Sequence, residues 1–122
     1  MPITAPYVLM VSMDVEPEKE AILNEVYEQE HLPLLLTVPG VVSVARFKNE
    51  ELSIVIGGER RTIVVENEAK HHVLWELESP EVLLSDAWAK AVDQGRWPTH
   101  VRPYTSNRRH LLKRRLIREP RA

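Results

Sequence analysis

The chain has 122 residues, 43% hydrophobic and 28% charged, with a formal net charge of −2 at pH 7. That length suits one domain with a real core, and the charge balance gives no global attraction to nucleic acid or an anionic membrane. The absence of cysteine excludes disulfides, a thiolate nucleophile and cysteine-ligated zinc.

Tyr7 to Asp14 predicts a first strand, apolar on both alternating faces until Ser12 and Asp14, so something should cover both sides. Glu16-Pro17-Glu18 opens a helix, because proline suits a first turn and acids there complement the dipole. Leu23, Tyr27 and His31 recur every four residues, with Ile22 and Val26 beside them, as one amphipathic face. Pro33 disfavours helical angles at the residue before it, so the helix is expected to end or kink near His31. Val38-Pro39-Gly40 then hands the chain to a second strand, Val41 to Lys48.

Residues 49–70 read as an inserted β-ribbon or long loop, with strand-like Leu52 to Ile56 and Thr62 to Glu66 flanking Gly57-Gly58. His71 to Leu77 is the third core strand. Ser79-Pro80-Glu81 starts a second helix carrying Val82, Leu83, Ala87, Trp88, Ala91 and Val92 and ending at Gly95. A polar connection from Arg96 to Asn107 leads to a last strand, His110 to Ile117. From Arg108 to Arg121 seven basic residues face one acid, Glu119, and Leu111, Leu112, Leu116 and Ile117 interleave with them. That spacing reads as a strand and a basic tail at 118–122, not as a nucleic-acid-binding arm. No segment has the pattern of a secretion signal or a membrane span, so a soluble, cytoplasmic protein without a membrane partner is expected.

The core order β-α-β-(ribbon)-β-α-β favours a ferredoxin-like α+β sandwich in a single domain, 1–122, with both helices on one face of an antiparallel sheet. The other sheet face would be bare and apolar, and a two-fold homodimer stacking those faces into a closed barrel would cover it.

The segment Tyr27…Glu30-His31-Leu32-Pro33…Val38-Pro39-Gly40-Val41, leading to Ala45-Arg46-Phe47, resembles the EthD-like branch of the dimeric α+β barrel superfamily. Trp75-Glu76-Leu77-Glu78-Ser79-Pro80, followed by Ser85-Asp86-Ala87-Trp88, looks like the third strand and second helix of its bacterial members. The resemblance implies a fold whose relatives include polyketide cyclases, muconolactone isomerases, cofactor-free monooxygenases, haem-degrading enzymes and proteins of no known activity. Fold alone does not choose among them.

Strand alternation offers one partition of the sheet. The open face would carry Val8, Met10, Ser12, Asp14, Val42, Val44, Arg46, His72, Leu74, Glu76, His110, Leu112 and Arg114. Leu9, Val11, Phe47, Val73, Trp75 and Leu77 would lie against the helices. His31 is the first candidate for general acid or base; the alternative is a histidine that caps helix carbonyls or packs beside Tyr27. His72 is the second, since His71 and His72 point to opposite faces and cannot chelate one metal from the same side. Arg46 suits a substrate carboxylate or phenolate, or a salt bridge to Glu76 or Asp14. Tyr27, Asp14, Glu76 and Trp97 complete the expected binding set, with Trp97 in a loop suited to a lid and Trp88 more suited to core packing.

No metal or cofactor is expected, because no spacing matches an established ligand motif, phosphate loop, nucleotide fingerprint or serine elbow. The leading expectation is a small-molecule-binding protein taking an aromatic or polyketide-like compound between sheet and helices, with cofactor-free isomerase, cyclase or lyase chemistry. A non-catalytic ligand-binding or assembly protein, and a monooxygenase, are the alternatives.

Overall fold

Residues 3–117 are described in a computed structural model; the basic tail expected at 118–122 lies outside them. β1 (Tyr7–Val15) pairs antiparallel with both β5 (His71–Leu77) and β6 (Thr105–Arg114), and β2 (Val41–Lys48) pairs antiparallel with β5. The sheet order β2-β5-β1-β6 is the ferredoxin-like arrangement. β3 (Leu52–Ile56) and β4 (Glu59–Ile63) form a separate two-stranded ribbon. Among the described residues no helix is long and apolar enough to cross a membrane.

The first helical segment does not stop at His31. A 3-10 turn (Pro17–Lys19) leads to α1 (Glu20–Val26), a π-type turn (Tyr27–His31) and α2 (Leu32–Leu36). Pro33 is accommodated because the wider turn restarts the hydrogen-bond register, which puts the proline in the first turn of α2, where an N–H is not needed. Gly40 has φ +91° and hands the chain to β2; a side chain there would drive into Val82 Cγ2. The predicted second helix is broken. Pro80–Leu84 is a 3-10 turn, Ser85 is extended, and α3 (Asp86–Val92) begins with Ser85 Oγ accepting from the Trp88 amide at 3.2 Å.

The ribbon turns more tightly than its composition suggests. Gly57 and Gly58 have φ +60° and +80°, as a two-residue type I′ hairpin needs. The return strand therefore starts at Glu59 and ends at Ile63, instead of running from Thr62 to Glu66.

The buried core gathers Leu9, Met13, Leu23, Val26, Leu35, Val73, Trp75 and Leu77 between sheet and helices. β1 and β5 divide their faces as expected, but β2 and β6 do not. A bulge between Val41 and Ser43 sets the β2 register, which aligns Val44 with Trp75, Arg46 with Val73, and Phe47 with His72. Val44 and Arg46 thus lie on the helix side and Phe47 on the open side. β6 begins at Thr105 and carries an irregularity at Asn107 (φ +52°), so that His110, Leu112 and Arg114 pair with Val11, Leu9 and Tyr7 on the helix side.

Candidate functional site

Leu23, Tyr27 and His31 repeat every four residues, which in a regular α-helix drifts by about 40° per step. The π-type turn at Tyr27–His31 winds less per residue and offsets that drift, so both rings face the sheet. A second π-type turn, Trp97–Val101, lies against the first and brings in Trp97. The indole stacks on the His31 imidazole (centroids 4.3 Å apart, planes 19° apart) and tilts against Tyr27 at 4.8 Å. Tyr27 and His31 meet edge to face at 5.5 Å.

The two turns are clamped by charge. Glu30 Oε1 accepts from the Arg96 amide at 2.8 Å, Glu30 Oε2 is paired with the Arg96 guanidinium, and Arg96 Nη1 reaches Glu25 Oε2 at 2.9 Å. The Arg96 amide and guanidinium hold the Glu30 carboxyl below the usual carboxylate range. The clamp sits one residue before Trp97 and fixes where the indole lands.

These rings line a cavity of about 370 Å³. β1 and β5 contribute Leu9, Val11, Met13 and Trp75; the helical layer contributes Leu35, Leu83, Trp88 and Val92; Arg102, Arg108 and His110 complete the wall. Trp88 stands edge-on to Trp75 at 5.6 Å. A largely apolar enclosure with a few polar groups is the usual form of a small-molecule site.

Two buried polar groups in this wall lack strong partners. His31 is 6% exposed and its Nδ1 is buried with no hydrogen bond. Burial, aided by the Arg102 charge, lowers its pKa from 6.5 to about 4, so the imidazole is neutral at pH 7. Tyr27 is 2% exposed, and its hydroxyl reaches only the Met13 thioether, at 3.7 Å. Burial raises the phenol pKa against the opposing charges of Arg46 and Arg108, so the O–H stays protonated. Buried polar groups normally have partners, which sets apart this weakly bonded hydroxyl and unpartnered imidazole lining one cavity.

Of the residues singled out from sequence, Tyr27, His31 and Trp97 converge here. Trp97 is 4% exposed, a wall and not a lid. Arg46 stacks over the Tyr27 ring at 4.7 Å, bonds Asn24 Oδ1 at 2.9 Å and pairs with Glu28 at 3.6 Å, in a separate, smaller cleft with His71. His72 is on the open face, its Nε2 2.9 Å from the Ala69 carbonyl and 3.4 Å from Glu68. Asp14 accepts from the Lys70 amide at 2.9 Å and from Asn107 Nδ2 at 3.2 Å, tying the ribbon's return to the β6 irregularity.

Glu76 accepts from the amides of Thr4 (2.8 Å) and Ala5 (3.1 Å) and from the Ser43 hydroxyl. Burial works against its charge, but those hydrogen bonds outweigh it and keep the carboxyl below its usual range. Arg102 and Arg108 are not singled out as site residues by the sequence, where Arg108 reads only as the start of a basic run. Arg102 falls in a stretch with no helical or strand period, and Arg108 precedes the expected start of the last strand.

The molecule is thus an α+β sandwich with one helical layer and an aromatic cavity beneath it. Its fold is EthD-like. The crystal structure of an ethyl tert-butyl ether D (EthD) family protein from Bacillus halodurans C-125 matches 90% of this chain and 99% of that chain, with a TM-score of 0.54 and 13% sequence identity. No family model and no curated protein matches the sequence.

Proposed function

We propose that the protein binds a small planar molecule, aromatic or polyketide-like, between sheet and helices and acts on it by cofactor-free proton transfer. The observation that carries this reading is His31, stacked on Trp97 with a buried, unpartnered Nδ1 and lining an apolar cavity together with Tyr27. A neutral imidazole accepts a proton from an acidic C–H or O–H, and the phenol donates to the oxygen on which negative charge grows. That growing charge raises the His31 pKa as the proton moves, so the base strengthens when it is needed. Isomerisation, cyclisation and lyase steps share this opening event.

The test uses 2-tetralone, a flat ketone with exchangeable α-protons. The wild type is expected to quench tryptophan emission on binding it and to speed α-deuterium exchange in heavy water. His31→Phe keeps the stacked ring and loses the exchange. Binding without accelerated exchange leaves a ligand-binding protein, and absence of binding removes the reading.

We also propose that the open sheet face pairs two copies of the chain. It carries Phe47 at 55% and Leu111 at 46% exposure, with half-buried Met10 and Leu74 between them, an apolar patch of the kind that marks an interface. His72 would then sit inside the dimer. Light scattering is expected to give the mass of two chains for the wild type and of one for Phe47→Asp; a monomeric wild type overturns the proposal.

A further inference from the structure

The charge of the cavity wall is one-sided. Its lining includes Arg102, Arg108, His31 and His110, but no aspartate or glutamate. The two guanidiniums differ in their partners. Arg102 is compensated, with Nη2 2.9 Å from Asp93 Oδ1 and 3.0 Å from the Val92 carbonyl. Arg108 makes no ion pair or side-chain hydrogen bond among the described residues, and it lies beside His110 on the edge strand at the exposed rim. A free guanidinium at the rim of an apolar, acid-free cavity is a fork for a flat anion such as a carboxylate, and low-dielectric walls strengthen its field on whatever enters.

We infer that the ligand of this cavity is anionic: its flat apolar body lies against Trp97 and His31, and a carboxylate or equivalent anionic group is held at the rim by Arg108. The inference rests on the binding reading above and names its ligand class. The alternative role for Arg108 is a solvated surface cation with no hold on the ligand. The two differ in whether neutralising Arg108 changes the choice between charged and uncharged ligands of one shape.

The pair 2-naphthoate and 2-naphthamide makes that comparison, by thermal shift and tryptophan quenching on the full chain at low and high salt. Naphthoate is expected to bind about five- to tenfold more tightly at low salt, the range of a partly exposed charge-assisted pair, with the advantage shrinking at high salt. Arg108→Gln brings the ratio of the two dissociation constants toward one, and Arg108→Glu reverses the preference. Because Arg108 is exposed on an edge strand, circular dichroism should show both variants folded. Equal binding of the two probes, or a preference that survives Arg108→Gln, overturns the inference while leaving the cavity reading standing. Binding of neither probe overturns the cavity reading itself.

Discussion

The open face of the sheet and the aromatic centre of the cavity differ in how their polar side chains are partnered. On the open face, Asp14, His72 and Glu76 all have partners, and Glu76 accepts from two amides and a hydroxyl. On the helix face, the His31 Nδ1 has none and the Tyr27 hydroxyl has only a thioether. A satisfied polar group holds structure in place; an unsatisfied buried one costs stability and persists where something else uses it. The contrast gives the open-face residues work as fasteners and leaves the two helix-side groups without that role.

The largest expected effect comes from breaking the helix side at its centre. Trp97→Ala removes the stack on His31 and a buried indole, and should cost about 3–5 kcal/mol in urea unfolding. It should also abolish probe binding. A loss below about 1 kcal/mol would mean that the cavity wall closes without this indole and that the two faces are less different than their hydrogen bonds suggest.

Next comes pH. The folded His31 pKa is about 4, below the 6.5 of the unfolded chain, so the unfolded state takes up the proton first. Stability from this residue is therefore complete above pH 6.5 and falls as pH drops toward 4, by on the order of 3 kcal/mol. His31→Phe should flatten most of that slope. His71 and His110 are also held below their ordinary values and leave a smaller residual slope of the same sign. Glu30 and Glu76, held below 4.5, act in a lower window, so the two contributions separate along the titration. An unchanged slope in His31→Phe would place the protonation elsewhere.

Much of the fold was legible because its signals are periodic: alternation for the strands, i to i+4 repeats for the first helical face, and Gly57-Gly58 for the hairpin. The site was legible only in part. Tyr27 and His31 share a spacing that reads as one face, and Trp97 stands out by type. The placement of Arg46 depends on a bulge in β2, and that of His110 on an irregularity at Asn107. A register change of one residue moves every later side chain to the other face and leaves little local trace in composition. The π-type turn was hidden for a related reason, since Pro33 signals a stop only if the hydrogen-bond register before it is regular.

A smaller effect is expected on the open face. Glu76→Ala strands the Thr4 and Ala5 amides and the Ser43 hydroxyl, at a cost of about 1–3 kcal/mol by denaturation. The naphthoate preference should survive, because Glu76 does not line the cavity. Loss of that preference with the fold intact would show that the two faces communicate.

The smallest effect should come from removing the ribbon. All ten residues of β3 and β4 are exposed, including Leu52, Ile54, Val55 and Ile63, so their removal uncovers almost no core. Their supports lie outside them: the Asn49 amide bonds the Lys70 carbonyl at 2.8 Å, and Asp14 holds the Lys70 amide. Replacing 52–63 by a short glycine-serine turn should therefore change unfolding stability by less than about 0.5 kcal/mol, as for other exposed segments. Probe binding should not change either. The oligomeric mass carries the sharper information. A two-stranded ribbon is marginal alone, and Leu52 and Ile63 pair on one of its faces with Ile54 and Ile56. If the shortened chain keeps the mass of two chains, Phe47 and Leu111 suffice for the contact; if it becomes a monomer, the ribbon's apolar face belongs to the interface and the open side of the molecule extends beyond its sheet.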